Sequence, residues 1–235
     1  MITWLEPGRP FPPLSAALDE PPGLLAAGGD LSPGRLIEAY RQGIFPWFSD
    51  GQPVLWWSTD PRMVLFTDEF RVSHSLRKRL AKMRLPGTSD WEIRVDSAFE
   101  TVMRACGEPR PGQDGTWITE GMLLAYAQLH QLGIAHSVET WVEGRLVGGL
   151  YGLAIGRMFY GESMFTRIPD ASKVALAHLV SYLKQQQFPM IDCQQQTSHL
   201  ASLGARPIPR GLFADRLRAL VDLPGIKEWP SRIFA

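Results

Sequence analysis

The stretch "FPMIDCQQQTSHLASLGA", residues Phe188 to Ala205, starts as an apolar strand and turns abruptly polar at Asp192, Cys193, Gln194, Gln195 and Gln196. A strand that ends in an acid and several amides can hold those groups over a cleft. Asp192 can accept a proton or hold an amine there. Gln194 carries both a donor and an acceptor, which suits it to aligning an ester or amide carbonyl. Helix capping is the plainer role for Asp192, but the short helix that follows begins near Thr197 or Ser198, several residues too late. A second carboxylate, Glu162, leaves the hairpin "GGLYGLAIGRMFYGESMF" beside Met164 and Phe165. It is either an exposed loop acid or one turned toward a pocket. If the two strands are neighbours in the sheet, Glu162 and Asp192 face one cleft.

Other chemistries lack their residues. His74, His130, His136, His178 and His199 show no metal-ligand spacing, and Cys106 and Cys193 form no CxxC pair. No GxSxG, GxGxxG or Walker-type loop occurs, so neither a serine-hydrolase elbow nor a nucleotide cradle is expected. Cys193 has no paired base in sequence and reads as a strand residue rather than a nucleophile.

The elements that must position these residues become regular from Thr116. Thr119 caps a helix through "EGMLLAYAQLHQL", which Gly133 stops. Strands follow in "AHSVETWV", "RLVGGLYGLAI" and "MFYGES", with turns at Glu143-Gly144 and Gly156-Arg157. Gly148, Gly149 and Gly152 interrupt the second strand, where glycine marks a bulge or the close approach of another backbone or a ligand. Asp170 or Ser172 then starts a long helix through "SKVALAHLVSYLKQQQ". The chain returns as "FPMIDC" and ends with a short helix, "TSHLASLG", and an amphipathic one through "LFADRLRALV". Upstream, residues 1–60 are rich in Pro and Gly and read as a small N-terminal domain of short elements. Within it Ser32 caps a helix with Pro33 at its first position and Leu36, Ile37 and Tyr40 on its apolar face; Gly43 ends it. This order predicts an α+β chain, with a mixed sheet covered by helices over residues 61–235.

Lys plus Arg equals Asp plus Glu at 24 each, so any polyanion must be met by a local patch rather than a global field. One such patch is "RVSHSLRKRLAKMR", with Arg71, Arg77, Lys78, Arg79, Lys82 and Arg84 and no acid. Leu76, Leu80 and Met83 fall at helical spacing, which leaves the basic residues on the outer side. A solvated helix face is the simple reading, yet the acidic (i, i+4) partners that usually neutralise such a face are missing. Trp47, Trp56, Trp57 and Trp117 stand in Pro- or Gly-flanked contexts. Partial core burial is the default for tryptophan, but a basic track leading to aromatic platforms is also how single-stranded nucleic-acid ends are held. The chain shows no signal-peptide pattern and no apolar run of roughly 18 residues that would span a membrane. With two cysteines lacking any framework spacing, a soluble cytoplasmic protein is expected.

The blocks "GLLAAGGDLSPGRLIEAYRQGIFPWF", "LWWSTDPRMVL", "GTWIT", "LHQLGIAHSVE", "LVGGLYGLAIGRMFYGESMF", "ASKVAL" and "IDCQ" occur in this order from about Gly23 to about Pro209. Together they resemble the leucyl/phenylalanyl-tRNA–protein transferase family. The resemblance implies an enzyme that takes Leu or Phe, and also Met, from its charged tRNA. It joins that residue to an acceptor protein beginning with Lys or Arg and so marks the acceptor for N-end-rule degradation. It further implies a small N-terminal domain and an acetyltransferase-like catalytic domain, acting as a monomer with no metal and no other cofactor, because the aminoacyl ester already carries the activation.

By the same resemblance, Asp192 and Gln194 are the catalytic pair and Glu162 is the third functional residue, holding the α-amino group of the transferred residue. Trp47 and Trp117 bind the 3′-terminal adenosine. Leu150, Met164 and Phe165 line the pocket for the transferred side chain, and the basic helix meets the tRNA. Asp192, held by Gln194, is expected to orient the acceptor amine and relay its proton, with the terminal ribose hydroxyl of the tRNA as the alternative carrier. A coenzyme-A-dependent acetyltransferase shares the element order, but "GESMFTRIPDASK" lacks the glycines that cradle a pyrophosphate. A non-catalytic RNA-binding module would leave Glu162, Asp192 and Gln194 without a role.

Overall fold

A computed structural model describes residues 2–6, 8–83, 90–109 and 116–233. Turn glycines at positive φ, Gly144 and Gly156, close the central hairpins. Strands β1 (Thr3–Leu5), β2 (Leu24–Gly28), β3 (Phe45–Pro46) and β4 (Leu55–Trp57) form a four-stranded sheet in the order β1-β2-β4-β3, with helix α1 (Pro33–Arg41) between β2 and β3. β5 (Arg62–Phe66) opens a second sheet. It is followed by α2 (His74–Met83), β6 (Trp91–Val95), α3 (Phe99–Gly107) and α4 (Glu120–Gln131). Then come β7 (Ala135–Val142), β8 (Arg145–Ile155), β9 (Met158–Thr166), α5 (Ala171–Gln185), β10 (Met190–Gln194), α6 (Ser198–Ser202), β11 (Arg206–Ile208) and α7 (Arg210–Leu220).

The second sheet has seven strands in the order β11-β5-β10-β9-β8-β7-β6. β9 and β10 run parallel, joined by α5, and the other pairs are antiparallel. The architecture is therefore the expected α+β arrangement of a mixed sheet covered by helices. One face packs on α1, α3, α4 and α7 through Tyr40, Phe99, Tyr126 and Phe213, in a core continuous with Trp56 and Leu25 of the first sheet. The other face packs on α5 and α2 through Leu179, Leu183 and Leu76.

Two glycines of β8 show why side chains are missing there. A Cβ on Gly148 would stand 2.5 Å from Ala171 Cβ at the start of α5, and one on Gly152 would stand 2.2 Å from the Tyr160 carbonyl oxygen. These are close approaches of the kind the sequence pattern marks. Capping follows expectation at α4, where Thr119 Oγ1 accepts from Met122 N–H at 3.3 Å. It does not at α1: the Ser32 side chain caps nothing, and Asp30 instead accepts from Ser32 N–H at 2.8 Å. Asp170 precedes α5 with φ 68° and makes no side-chain cap. The strands β5, β6 and β11 and the helix α3 have no counterpart in the pattern reading, being short or set among Pro, Arg and Glu.

Candidate active site

The cleft arises where two strands part. β9 and β10 pair only at Ile191 with Phe159 and Asp192 with Tyr160. Beyond that point β9 continues against β8 to Thr166. β10 instead slips register against β5 between Asp192 and Gln194, and Gln194 turns to φ 53°. A non-glycine residue in that left-handed region is held there by its surroundings; Thr59 Oγ1 donates to the Gln194 carbonyl at 3.1 Å. The parting leaves a mouth of about 260 Å³ lined by Phe45, Trp47, Trp117, Glu162, Cys193 and Gln194 among others.

Glu162 sits at the centre of a hydroxyl cluster. Tyr40 on α1 donates to its Oε1 at 2.8 Å and Tyr126 on α4 to its Oε2 at 3.2 Å. The two tyrosine hydroxyls also touch each other, and Tyr160 donates to the Tyr40 carbonyl at 2.9 Å. Burial, followed by the Glu162 charge, raises both tyrosine pKa values well above 10, so both stay protonated donors. Burial also raises Glu162 from 4.5 to about 8; the Asp192 charge adds to the rise, while the tyrosine hydrogen bonds and Arg62 oppose it. The Gln194 amide fits this state. With its nitrogen toward the Gly161 and Cys193 carbonyls at 2.9 and 3.1 Å, its oxygen takes the position 3.3 Å from Glu162 Oε1. Two oxygens at that distance pair only when the carboxyl carries a proton.

Asp192 is placed differently. Its side chain is 0% exposed and forms a two-point pair with Arg62, itself 1% exposed. Arg62 Nε donates to Oδ1 at 2.8 Å and Nη2 to Oδ2 at 2.7 Å. The Gln194 backbone N–H donates to Oδ1 at 3.0 Å. The guanidinium lies 4.7 Å from the ring centres of both Phe45 and Phe213. Asp192 thus accepts three hydrogen bonds inside the protein, two of them charge-assisted. Asp192 is expected to meet the acceptor amine, whereas here its carboxylate is turned to Arg62 and the Gln194 backbone and does not line the mouth. The Cys193 thiol is pushed up by burial and by Asp192, which keeps it protonated and poorly nucleophilic.

Two cavities flank the mouth. One, of about 500 Å³, shares Trp47 and Trp117 with it and is lined also by Phe48, Gln52, Trp57 and Ser163. The Trp47 ring is braced edge-on by Trp57 at 5.4 Å, whose Nε1 donates to the Trp47 carbonyl at 2.6 Å. The other, of about 350 Å³, shares Glu162 and Cys193 with the mouth. It is walled by apolar side chains including Leu65, Leu150, Phe159, Met164, Leu176 and Ile191. Its size and lining are those of a small-ligand site. Among the described residues, no group of three or more His, Cys, Asp or Glu could hold a metal ion.

Residues 64–218 match the family described as leucyl/phenylalanyl-tRNA protein transferase, and residues 29–60 match that family's N-terminal domain. The chain belongs to this family. A leucyl/phenylalanyl-tRNA–protein transferase of Janthinobacterium sp. (strain Marseille) is 60% identical to it, covering 100% of this chain and 99% of that relative. One from Chromobacterium violaceum is 61% identical over 95% of this chain and 94% of that relative. Among solved structures, a GCN5-related N-acetyltransferase from Kribbella flavida is similar with a TM-score of 0.34, at 12% identity over 74% of this chain and 60% of that one. That likeness is too distant to bear on chemistry.

The protein is therefore an aminoacyltransferase, and its fold brings most of the expected residues to one place. Glu162, Gln194, Trp47 and Trp117 line the mouth, and Leu150 and Met164 line the apolar cavity. Phe165 does not: successive residues of a strand face opposite ways, and Phe165 packs in the core with Tyr151 while Met164 packs on the face of Leu150. Of the basic residues, Arg77, Lys78 and Lys82 are exposed on α2 and Arg71 is exposed just before it. Arg79 is half-buried with its guanidinium 4.6 Å from the centre of the Trp91 ring. Arg84 lies outside the described residues. Tyr40, Tyr126 and Arg62 were not anticipated as functional. Tyr40 reads as apolar helix face and Arg62 carries no sequence signal of its own, and only their partners across the fold draw them to the site.

Proposed function

We propose that this aminoacyltransferase moves Leu or Phe, and also Met, from its tRNA to acceptor proteins beginning with Lys or Arg, marking them for N-end-rule degradation in the cytoplasm. The chain would act as a monomer, with residues 1–60 as the small domain and 61–235 as the catalytic one. A single observation carries the reading: the mouth at Glu162 and Gln194 joins a tryptophan-lined cavity to an apolar one, the layout an aminoacyl-adenosine requires. The adenine stacks at Trp47 and Trp117, the ester lies over Gln194, and the unbranched-at-Cβ side chain enters the apolar cavity past Leu150 and Met164. The basic side chains of α2, with Arg71 and Arg84, meet tRNA phosphates.

Glu162 takes the α-ammonium of the transferred residue. That cation lowers the carboxyl pKa from about 8, so loading releases a proton from the Glu162 carboxyl. The acceptor's α-amine, with an ordinary pKa of about 8, enters neutral and is held by the Gln194 side-chain oxygen. Its nitrogen attacks the ester carbonyl carbon as the bond to the ribose oxygen breaks, and the amine proton ends on that oxygen. Asp192 and Arg62 keep Gln194 in place, and much of the rate comes from holding two reactants in line.

The test supplies radiolabelled Phe-tRNA or Leu-tRNA and peptides beginning with Arg or Ala, without ATP or metal. Label moving to the Arg peptide and not to the Ala peptide is expected. Binding of the charged tRNA with no transfer to either peptide would refute the reading.

A further inference from the structure

A further cavity of about 460 Å³ adjoins the apolar one, lined by Phe165 and Thr166 of β9, Arg167 just after it, Ser172 of α5, and Ala105 and Glu108 at and just past the end of α3. Among the described residues the two cavities share two lining side chains, Met164 and His199. Met164 stands on β9 opposite Leu150 of β8. His199 stands in the first turn of α6, whose start is capped by Thr197 Oγ1 accepting from Leu200 N–H at 3.1 Å. Burial and then the Lys173 charge lower the His199 pKa below 6.5, so the ring is neutral at pH 7. No described residue hydrogen-bonds to the ring. A thioether and an uncharged imidazole thus form a thin wall with open space behind it.

We infer that Met164 and His199 are a partition that sets the length of side chain this transferase accepts. The inference rests on the function proposed above and adds a specificity determinant to it. With the partition trimmed, the apolar cavity opens into its neighbour, and the added space carries acceptors at Ser172 and Glu108. The side chains that gain are aryl groups longer than that of Phe, with a polar atom toward the far end. Tryptophan, whose indole N–H needs a partner when buried, is the natural probe.

The experiment compares the wild-type protein with His199→Ala, Met164→Ala and the double variant. Each is supplied separately with Trp-tRNA, Phe-tRNA and Leu-tRNA and an Arg-initiated peptide. The readout is the ratio of kcat/KM for Trp over Phe within one preparation, which cancels any loss of folded protein. His199 is exposed, so its truncation leaves the core intact. The double variant is expected to raise the ratio by about tenfold or more, in the range that pocket-size mismatches command, with smaller rises in the singles. Phe transfer that persists with a ratio unchanged within about twofold in every variant would overturn the partition. A wild-type protein that moves neither Phe nor Leu would overturn the function itself, and the partition with it.

Discussion

Replacing Arg62 by methionine keeps an unbranched, apolar stem between Phe45 and Phe213 but removes both donors that Asp192 accepts at 2.8 and 2.7 Å. The carboxylate left behind is 0% exposed, so water cannot replace the guanidinium. Stranding one member of such a buried pair costs about 3–5 kcal/mol, roughly a hundred- to several-thousandfold in the folding equilibrium. The companion change, Asp192→Asn, keeps an oxygen for the Gln194 N–H and removes the charge. Combined with Arg62→Met, it is expected to recover about 2–3 kcal/mol relative to the sum of the single losses, because neither charge is then unpaired. Urea unfolding at pH 7 with an unchanged m-value measures all four corners of this cycle. Transfer kinetics give the functional half: Arg62→Met lowers kcat through a displaced Gln194 while KM for aminoacyl-tRNA stays near the wild-type value, since Arg62 does not line the mouth. A loss under about 1 kcal/mol together with wild-type kcat would refute the claim that this pair fixes the site.

Glu162 adds a pH signature. Its folded pKa of about 8 stands above the usual 4.5, so between those values the folded state holds a proton that the unfolded state has lost. Stability therefore falls as pH rises through that window. Glu162→Gln should flatten this decline in thermal scans from pH 5 to 9. Wild-type KM for aminoacyl-tRNA is expected to improve toward pH 8 as Glu162 loses its proton, and Glu162→Gln should abolish that improvement. Trp47→Ala and Trp117→Ala should each weaken aminoacyl-tRNA binding by the about 1–3 kcal/mol that one stacked base contributes, read as KM with kcat largely kept. If both variants bind like wild-type, the adenosine lies elsewhere. Lys78→Gln, on the exposed face of α2, should reduce the slope of log K against log salt by about one; an unchanged slope would place the tRNA off this helix.

Local pattern was enough for much of the scaffold. The limits of β7 and β8 follow from two strand-like runs closed by a turn at Glu143 and Gly144, both at positive φ. Thr119 and Gly133 bound α4 because capping chemistry is contained within a few residues. The carboxylates and amide were legible too, as polar residues at the ends of strands that otherwise read as buried. What the pattern alone could not decide is which of them face the substrate. Asp192 and Gln194 sit two residues apart, yet one is buried against Arg62 and the other opens to the cleft. That difference depends on a register slip between β10 and β5, strands far apart in the chain. In the same way Tyr40 and Tyr126, 86 residues apart, become one hydroxyl cluster only when α1 and α4 pack on the same face of the sheet. Sequence carries the residue types and the local elements because those depend on near neighbours. Side-chain partnership, and the burial that raises the pKa of Glu162, depend on contacts that exist only once the sheet is assembled.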